Sequence, residues 1–308
     1  MKKFLIQIAI FFAIVAVVDV SLGQLFHYLQ TTKAGSRTGN EYYACKKTNE
    51  DVIIMGSSRA MHHYVPKIIT EKTGMSCFNV GVDGNGIILQ YGRWKMISER
   101  YAPKLIIYDI TTSYDLEEND NMAYISRLKP FCWDTSVKSY VVSLFPMEKI
   151  KLYSGMYRYN YWFLEIVSNC LRKGNFKVEA GYVPKYEHIR SEIVNRPRRE
   201  KIQSINTDAV KLHYLEQLVK EAQAKGTQVM FVVSPVWRGD IYAPAVYAEV
   251  EKMAHQYGIQ YLQYMDSEIC DAPDCFKDSY HLNDKGARAF TEELVSHIQI
   301  PPFNSFNP

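Results

Sequence analysis

Asp51-Val52-Ile53-Ile54-Met55-Gly56-Ser57-Ser58 decides the fold. Four apolar residues closed by a glycine are too few for a helix and show no polar alternation, so the run reads as a strand buried on both faces. Cys77-Phe78-Asn79-Val80 and Lys104-Leu105-Ile106-Ile107-Tyr108-Asp109-Ile110 repeat the pattern. Helical stretches separate them, one over about 61–73 that stops at Gly74, the other from the Gly81–Gly86 loop to about Arg100. Further on, an amphipathic helix over 207–225 closed by Gly226 leads into a strand, Gln228–Val233, that ends at Ser234-Pro235. A helix over 242–256, a short strand Ile259–Leu262 and a last helix from Asp284 to about Ile298 complete the series. This order predicts an α/β fold, a three-layer α/β/α sandwich around a mostly parallel five-stranded sheet. Ligands meet such sheets at the C-terminal strand ends. Ser57, Ser58, the Gly81–Gly86 loop, Asp109 to Ser113 and Ser234 all fall there.

The flanking segments are of other kinds. Residues 115–205 are rich in Tyr, Trp, Asn, Lys and Arg without a βα period, and read as an insertion or cap after the third strand. The basic run Arg196-Pro197-Arg198-Arg199 near its end suits a solvated loop or an anionic ligand. At the other end, Lys2-Lys3 precedes Phe4–Val18, apolar except for Gln7. Residues 1–30 therefore predict a membrane anchor or a signal sequence, with the uncleaved anchor favoured because no convincing cleavage site follows. The two lysines would hold the N-terminus in the cytoplasm and place the rest outside, in the periplasm of a Gram-negative cell. Residues 31–50 are polar and read as a linker to a single domain over 51–308. A net charge of +3 argues against nucleic acid as a partner. Among the 6 cysteines, Cys270 and Cys275 bracket a turn-like stretch, for which an exported chain predicts a disulfide. No zinc spacing is present, and no metal or other cofactor is expected.

The chemistry is concentrated near the C-terminus, in Asp278-Ser279-Tyr280-His281. An Asp three residues before a His can orient its imidazole and stabilise the cation. Imidazole titrates near neutrality and can activate a serine hydroxyl, which is a poor nucleophile alone. Ser58, at a strand-to-loop turn, is the candidate nucleophile, with His281 as base and Asp278 as its partner.

Strand-Gly56-Ser57-Ser58, Asn79-Val80-Gly81-Val82-Asp83-Gly84-Asn85 and Asp278-Ser279-Tyr280-His281, in that order, resemble three blocks of the SGNH (GDSL-type) hydrolase superfamily. The resemblance covers about 51–110 and 207–298 and implies a flavodoxin-like sandwich. It also implies a Ser58–His281–Asp278 triad, with the backbone N–H groups of Ser58 and Gly84 holding the oxyanion and Gly81 as the alternative to Gly84. Arg59, Asn85 and Ser113 stand beside these blocks as candidate substrate contacts. Two departures mark the chain: Ser57 replaces the usual Asp, and Tyr108–Asp115 lacks the third block's Asn. Thr112 or Ser113 could donate a hydroxyl in its place, less rigidly; another donor, or a loss of catalysis, are the alternatives. The expected function is a serine esterase that removes O-acyl groups, O-acetyl first, from an extracytoplasmic carbohydrate. An O-acyltransferase with the same triad and a catalytically weak glycan-binding scaffold are the alternatives. The oligomeric state is not legible.

Overall fold

In a computed structural model, residues 1–32, 36–171, 179–197, 200–239 and 241–298 are described. Helix α1 (Lys2–Thr32) and helix α2 (Ser36–Lys46) precede the sheet. Strand β1 (Val52–Gly56) leads into α3 (Ser58–His63) and α4 (Pro66–Thr73), then β2 (Cys77–Asn79), α5 (Ile87–Ser98) and β3 (Leu105–Asp109). Six short helices follow, α6 (Thr112–Asp115), α7 (Thr135–Leu144), α8 (Glu148–Lys151), α9 (Gly155–Tyr159), α10 (Phe163–Leu171) and α11 (Ser191–Val194). The chain then returns through α12 (Ala209–Ala224), β4 (Gln228–Val233), α13 (Ala248–Tyr257), β5 (Gln260–Gln263) and α14 (Asp284–His297).

The five strands form one all-parallel sheet in the order β2-β1-β3-β4-β5. Successive strand residues point to opposite faces, which is why these runs are apolar throughout. Ile53, Met55, Ile106 and Tyr108 pack under α5 and α12. Val52, Ile54, Leu105 and Ile107 pack under α4 and α14. The chain leaves β1 toward β2 and then crosses back over it to β3, so the sheet order reverses at the C-terminal ends of β1 and β3. Open α/β sheets place their ligand crevice at such a point.

Three expectations are corrected. The helix expected over 61–73 is two helices, because Pro66 cannot sit in a helix interior and instead starts α4, with Val65 extended before it. The polar linker holds a packed helix, α2. Ala44 and Cys45 are buried in the main core, Tyr43 lies 4.7 Å from Phe78 ring to ring, and Glu41 pairs with Arg93. The polar composition of this stretch masks one apolar face; Lys33, Ala34 and Gly35 lie outside the described residues. Cys270 and Cys275 are free thiols. They stand on successive 3-10 turns, where the Cys270 Sγ donates to the Tyr264 carbonyl at 3.3 Å and Cys275 turns into the second core cluster.

The 115–205 segment is a second helical layer, with Leu116, Ile125, Leu128, Phe131 and Val137 buried in the same core as α5. Its 179–183 stretch lies along β2, where Asn79 N–H donates to Ala180 O at 2.8 Å. The segment also receives α1. Phe26 is buried with Tyr159, Trp162 and Ile166, while Phe4 to Val18 are exposed. Helix α1 is long and apolar enough to cross a membrane.

Candidate active site

Ser58 is the first residue of α3, held at the mouth of the sheet by a turn that needs glycine before it. Gly56 has φ +135°, and a Cβ there would stand 2.7 Å from the carbonyl oxygen of Asp109, its register partner on β3. The imidazole of His281 reaches Ser58 from the loop before α14. Its Nε2 lies 2.9 Å from Ser58 Oγ, and its Nδ1 lies 3.0 Å from both carboxylate oxygens of Asp278. A carboxylate only accepts hydrogen bonds, so Nδ1 carries the proton and Nε2 accepts from the serine hydroxyl. Asp278 is anchored in turn by the backbone N–H groups of Tyr280 and His281, at 2.9 and 3.0 Å. The structure thus brings Ser58, His281 and Asp278 into one chain of hydrogen bonds.

Partial burial pushes the Asp278 pKa up. The hydrogen bond and charge of His281, the Tyr280 N–H and Lys277 outweigh it and hold the carboxyl well below its usual range. A carboxyl that ionises more easily when folded stabilises the fold above the ordinary carboxylate value of about 4, and that contribution is lost as pH falls through the folded value. The difference in unfolding midpoint between the native chain and Asp278→Asn should be largest at neutral pH and shrink below about pH 4. Denaturant titrations across that range check it, and a constant difference would contradict it.

Two histidines of α3, His62 and His63, flank the imidazole. His63 Nε2 accepts the Leu282 N–H at 3.1 Å, so its Nδ1 donates to Ser234 Oγ at 2.9 Å. Burial, then the nearby His281 and Arg59, hold the His63 pKa well below the usual imidazole value, and the ring is neutral. It ties the His281 loop to the ends of β4 and α3. His62 bonds Val183 O at 2.7 Å and Asp83 Oδ1 at 2.8 Å, fixing the loop after β2. No spacing rule relates a histidine five residues after a serine to a loop more than 200 residues away, so neither role was legible.

Of the candidate oxyanion donors, Gly81 is excluded because its N–H is spent on Asn79 Oδ1 at 2.9 Å. Gly84 is in the left-handed region at φ +67°, with open space around it. Asn85 donates to Asp83 O at 2.8 Å and shapes that turn. In place of the third-block Asn, the Thr112 hydroxyl is engaged with Tyr247 at 2.9 Å, whereas Ser113 faces the pocket. Ser57 is fully buried, with its hydroxyl unpaired among the described residues.

Arg59 is buried and bound to the sheet. It donates to the carbonyl of Ile110 and to Thr111 Oγ1 at 3.3 Å, and pairs with Asp109 at 3.3 Å. Its side chain still lines a cavity of about 230 Å³ that opens on Ser58 and His281, walled also by Ser113, Tyr114, Tyr242 and Tyr280. Gly84 and Asn85 lie outside this lining. Three of these wall residues are tyrosines, so the serine faces a small cavity with aromatic walls.

No family model and no curated protein matches the chain. Among solved structures it is similar to a candidate acylhydrolase from Bacteroides fragilis, at 11% identity and a TM-score of 0.38, over 84% of this chain and 92% of that one. It is also similar to a Streptococcus pneumoniae protein described as a candidate platelet activating factor, at 11% identity and a TM-score of 0.40, over 94% and 98%. At such values neither likeness carries an argument, and the chemistry rests on the chain's own geometry.

Proposed function

We propose that this chain is a serine esterase of the SGNH type, anchored in the cytoplasmic membrane by α1. In this reading it removes O-acyl groups, O-acetyl first, from a carbohydrate outside the cytoplasm. The observation that carries it is the 2.9 Å contact between Ser58 Oγ and an imidazole that Asp278 already orients. His281 Nε2 takes the hydroxyl proton as Ser58 Oγ bonds to the ester carbonyl carbon. Charge gathers on the carbonyl oxygen, for which the Ser58 N–H and the Ser113 hydroxyl on the cavity wall are the candidate donors, Gly84 standing outside that wall. The carbon–oxygen bond to the sugar breaks and the imidazolium returns its proton to the leaving alkoxide. Water, deprotonated by the same nitrogen, then releases the acid from Ser58. An acyltransferase would differ only in admitting a sugar hydroxyl at that last step. The tyrosines of the cavity wall support a carbohydrate substrate, and the length and apolarity of α1 support its place outside the cytoplasm.

The test is release of acetate from O-acetylated polysaccharide by the full chain in mild detergent, with p-nitrophenyl acetate alongside. Turnover of neither by folded protein removes the reading. Within it, His63→Ala should lower kcat on the order of 10-fold with KM little changed, because the loop bearing His281 loses its backbone anchor. Equal effects on both constants, or none, would deny His63 that positioning role.

A further inference from the structure

The segment just before α9 presents its apolar side outward. Met147, Ile150 and Tyr153 are 66%, 69% and 72% exposed and recur every third residue, along one side of the turn that contains α8. Glu148 and Leu152, on the other side, are buried, the carboxylate of Glu148 taking Lys151, Tyr157 and Lys129. A soluble surface shows the reverse arrangement, and a contiguous outward apolar stripe marks a contact. Lys149 and Lys151 stand between its members, and Lys138 lies over the Tyr153 ring at 4.5 Å.

The position of this stripe along α1 is fixed by hydrogen bonds. Asp19 accepts from Ser154 Oγ at 2.6 Å, Gly155 N at 2.7 Å and Met156 N at 3.0 Å, capping α9. One turn on, Gly23 and Gly155 meet backbone to backbone; a Cβ on Gly23 would stand 2.7 Å from the Gly155 Cα. A bilayer core takes roughly 20 helical residues. Counted from Phe4, they end at Gly23. The chain from Met147 to Tyr153 therefore arrives at the level where α1 leaves the hydrocarbon.

The geometry points to a second membrane contact: Met147, Ile150 and Tyr153 enter the lipid interface beside α1, with Lys149 among anionic headgroups. The composition is that of an interfacial anchor, apolar and aromatic groups at headgroup depth with lysines around them. The inference rests on α1 crossing the bilayer and is independent of the esterase reading. The surface lies outside the catalytic cavity and takes a bilayer, not a protein, as partner.

The test uses the full chain in nanodiscs of phosphatidylethanolamine and phosphatidylglycerol. Exposed Cys170 is replaced by serine, and an environment-sensitive fluorophore is attached at Ile150→Cys or, as control, at Val210→Cys on α12. Lipids with a quencher high on the acyl chain should quench the label at 150 several-fold more than at 210 and shift its emission to the blue. Met147→Ser with Tyr153→Ser should weaken that quenching. Equal quenching at the two sites overturns the inference, as does a blue shift at 150 without lipid quenching, which indicates a protein partner. Failure of the chain to enter nanodiscs removes the premise about α1.

Discussion

Ser58→Ala should leave the protein folded and lower p-nitrophenyl acetate turnover on the order of 10⁴- to 10⁶-fold, the range over which removal of the nucleophile from a serine triad acts. The structural change is small. Ser58 Oγ bonds His281, a ring that is itself 24% exposed, so water can replace the hydroxyl. The stability cost should stay near 1 kcal/mol or below. A fluorophosphonate adduct, read by intact mass, should form on the native chain and be absent from the variant. His281→Ala should lose turnover comparably, because residues of a triad act as one unit. Turnover that survives in both variants would place the chemistry elsewhere.

Arg93→Met should destabilise the fold by about 3–5 kcal/mol, the usual result of breaking one side of a buried ion pair. Arg93 is 1% exposed on α5; its guanidinium donates to the Val80 carbonyl at the end of β2 and to Glu41 on α2. Its removal leaves the Glu41 carboxylate buried, with Arg127 at 3.6 Å. Replacing both residues with Met should recover part of the loss, since the carboxylate that lost its Arg93 contact is removed as well. Thermal or guanidinium unfolding of the full chain in detergent measures both changes. A single-variant loss within about 1 kcal/mol would mean that α2 is peripheral to the fold.

Much of the sheet was legible because its signal is local. A strand buried on both faces must be apolar at every position, and Val52–Met55, Leu105–Tyr108 and Val229–Val233 are. The Asp278/His281 pair was legible for the same reason: it closes within one loop. The features that escaped depend on contacts between distant segments. The inward face of α2 shows only against Phe78 and Arg93, and His63 acquires its role only when Leu282 arrives from the far end of the chain. The free thiols of Cys270 and Cys275 follow from which way two short turns point, which spacing does not encode.

The docking of α1 changes what the leader of this chain is. A processing enzyme cutting near Gly23 would strip Asp19 from the start of α9, and one cutting a turn later would also pull Phe26 from its cluster with Tyr159, Trp162 and Ile166. The segment that reads as an address is also part of the packed structure, through Asp19, Gly23 and Phe26. In the proposed reading, the docking of α1 on the domain sets how far the mouth of the Ser58 cavity stands from the bilayer, and only acyl groups brought to that distance are removed.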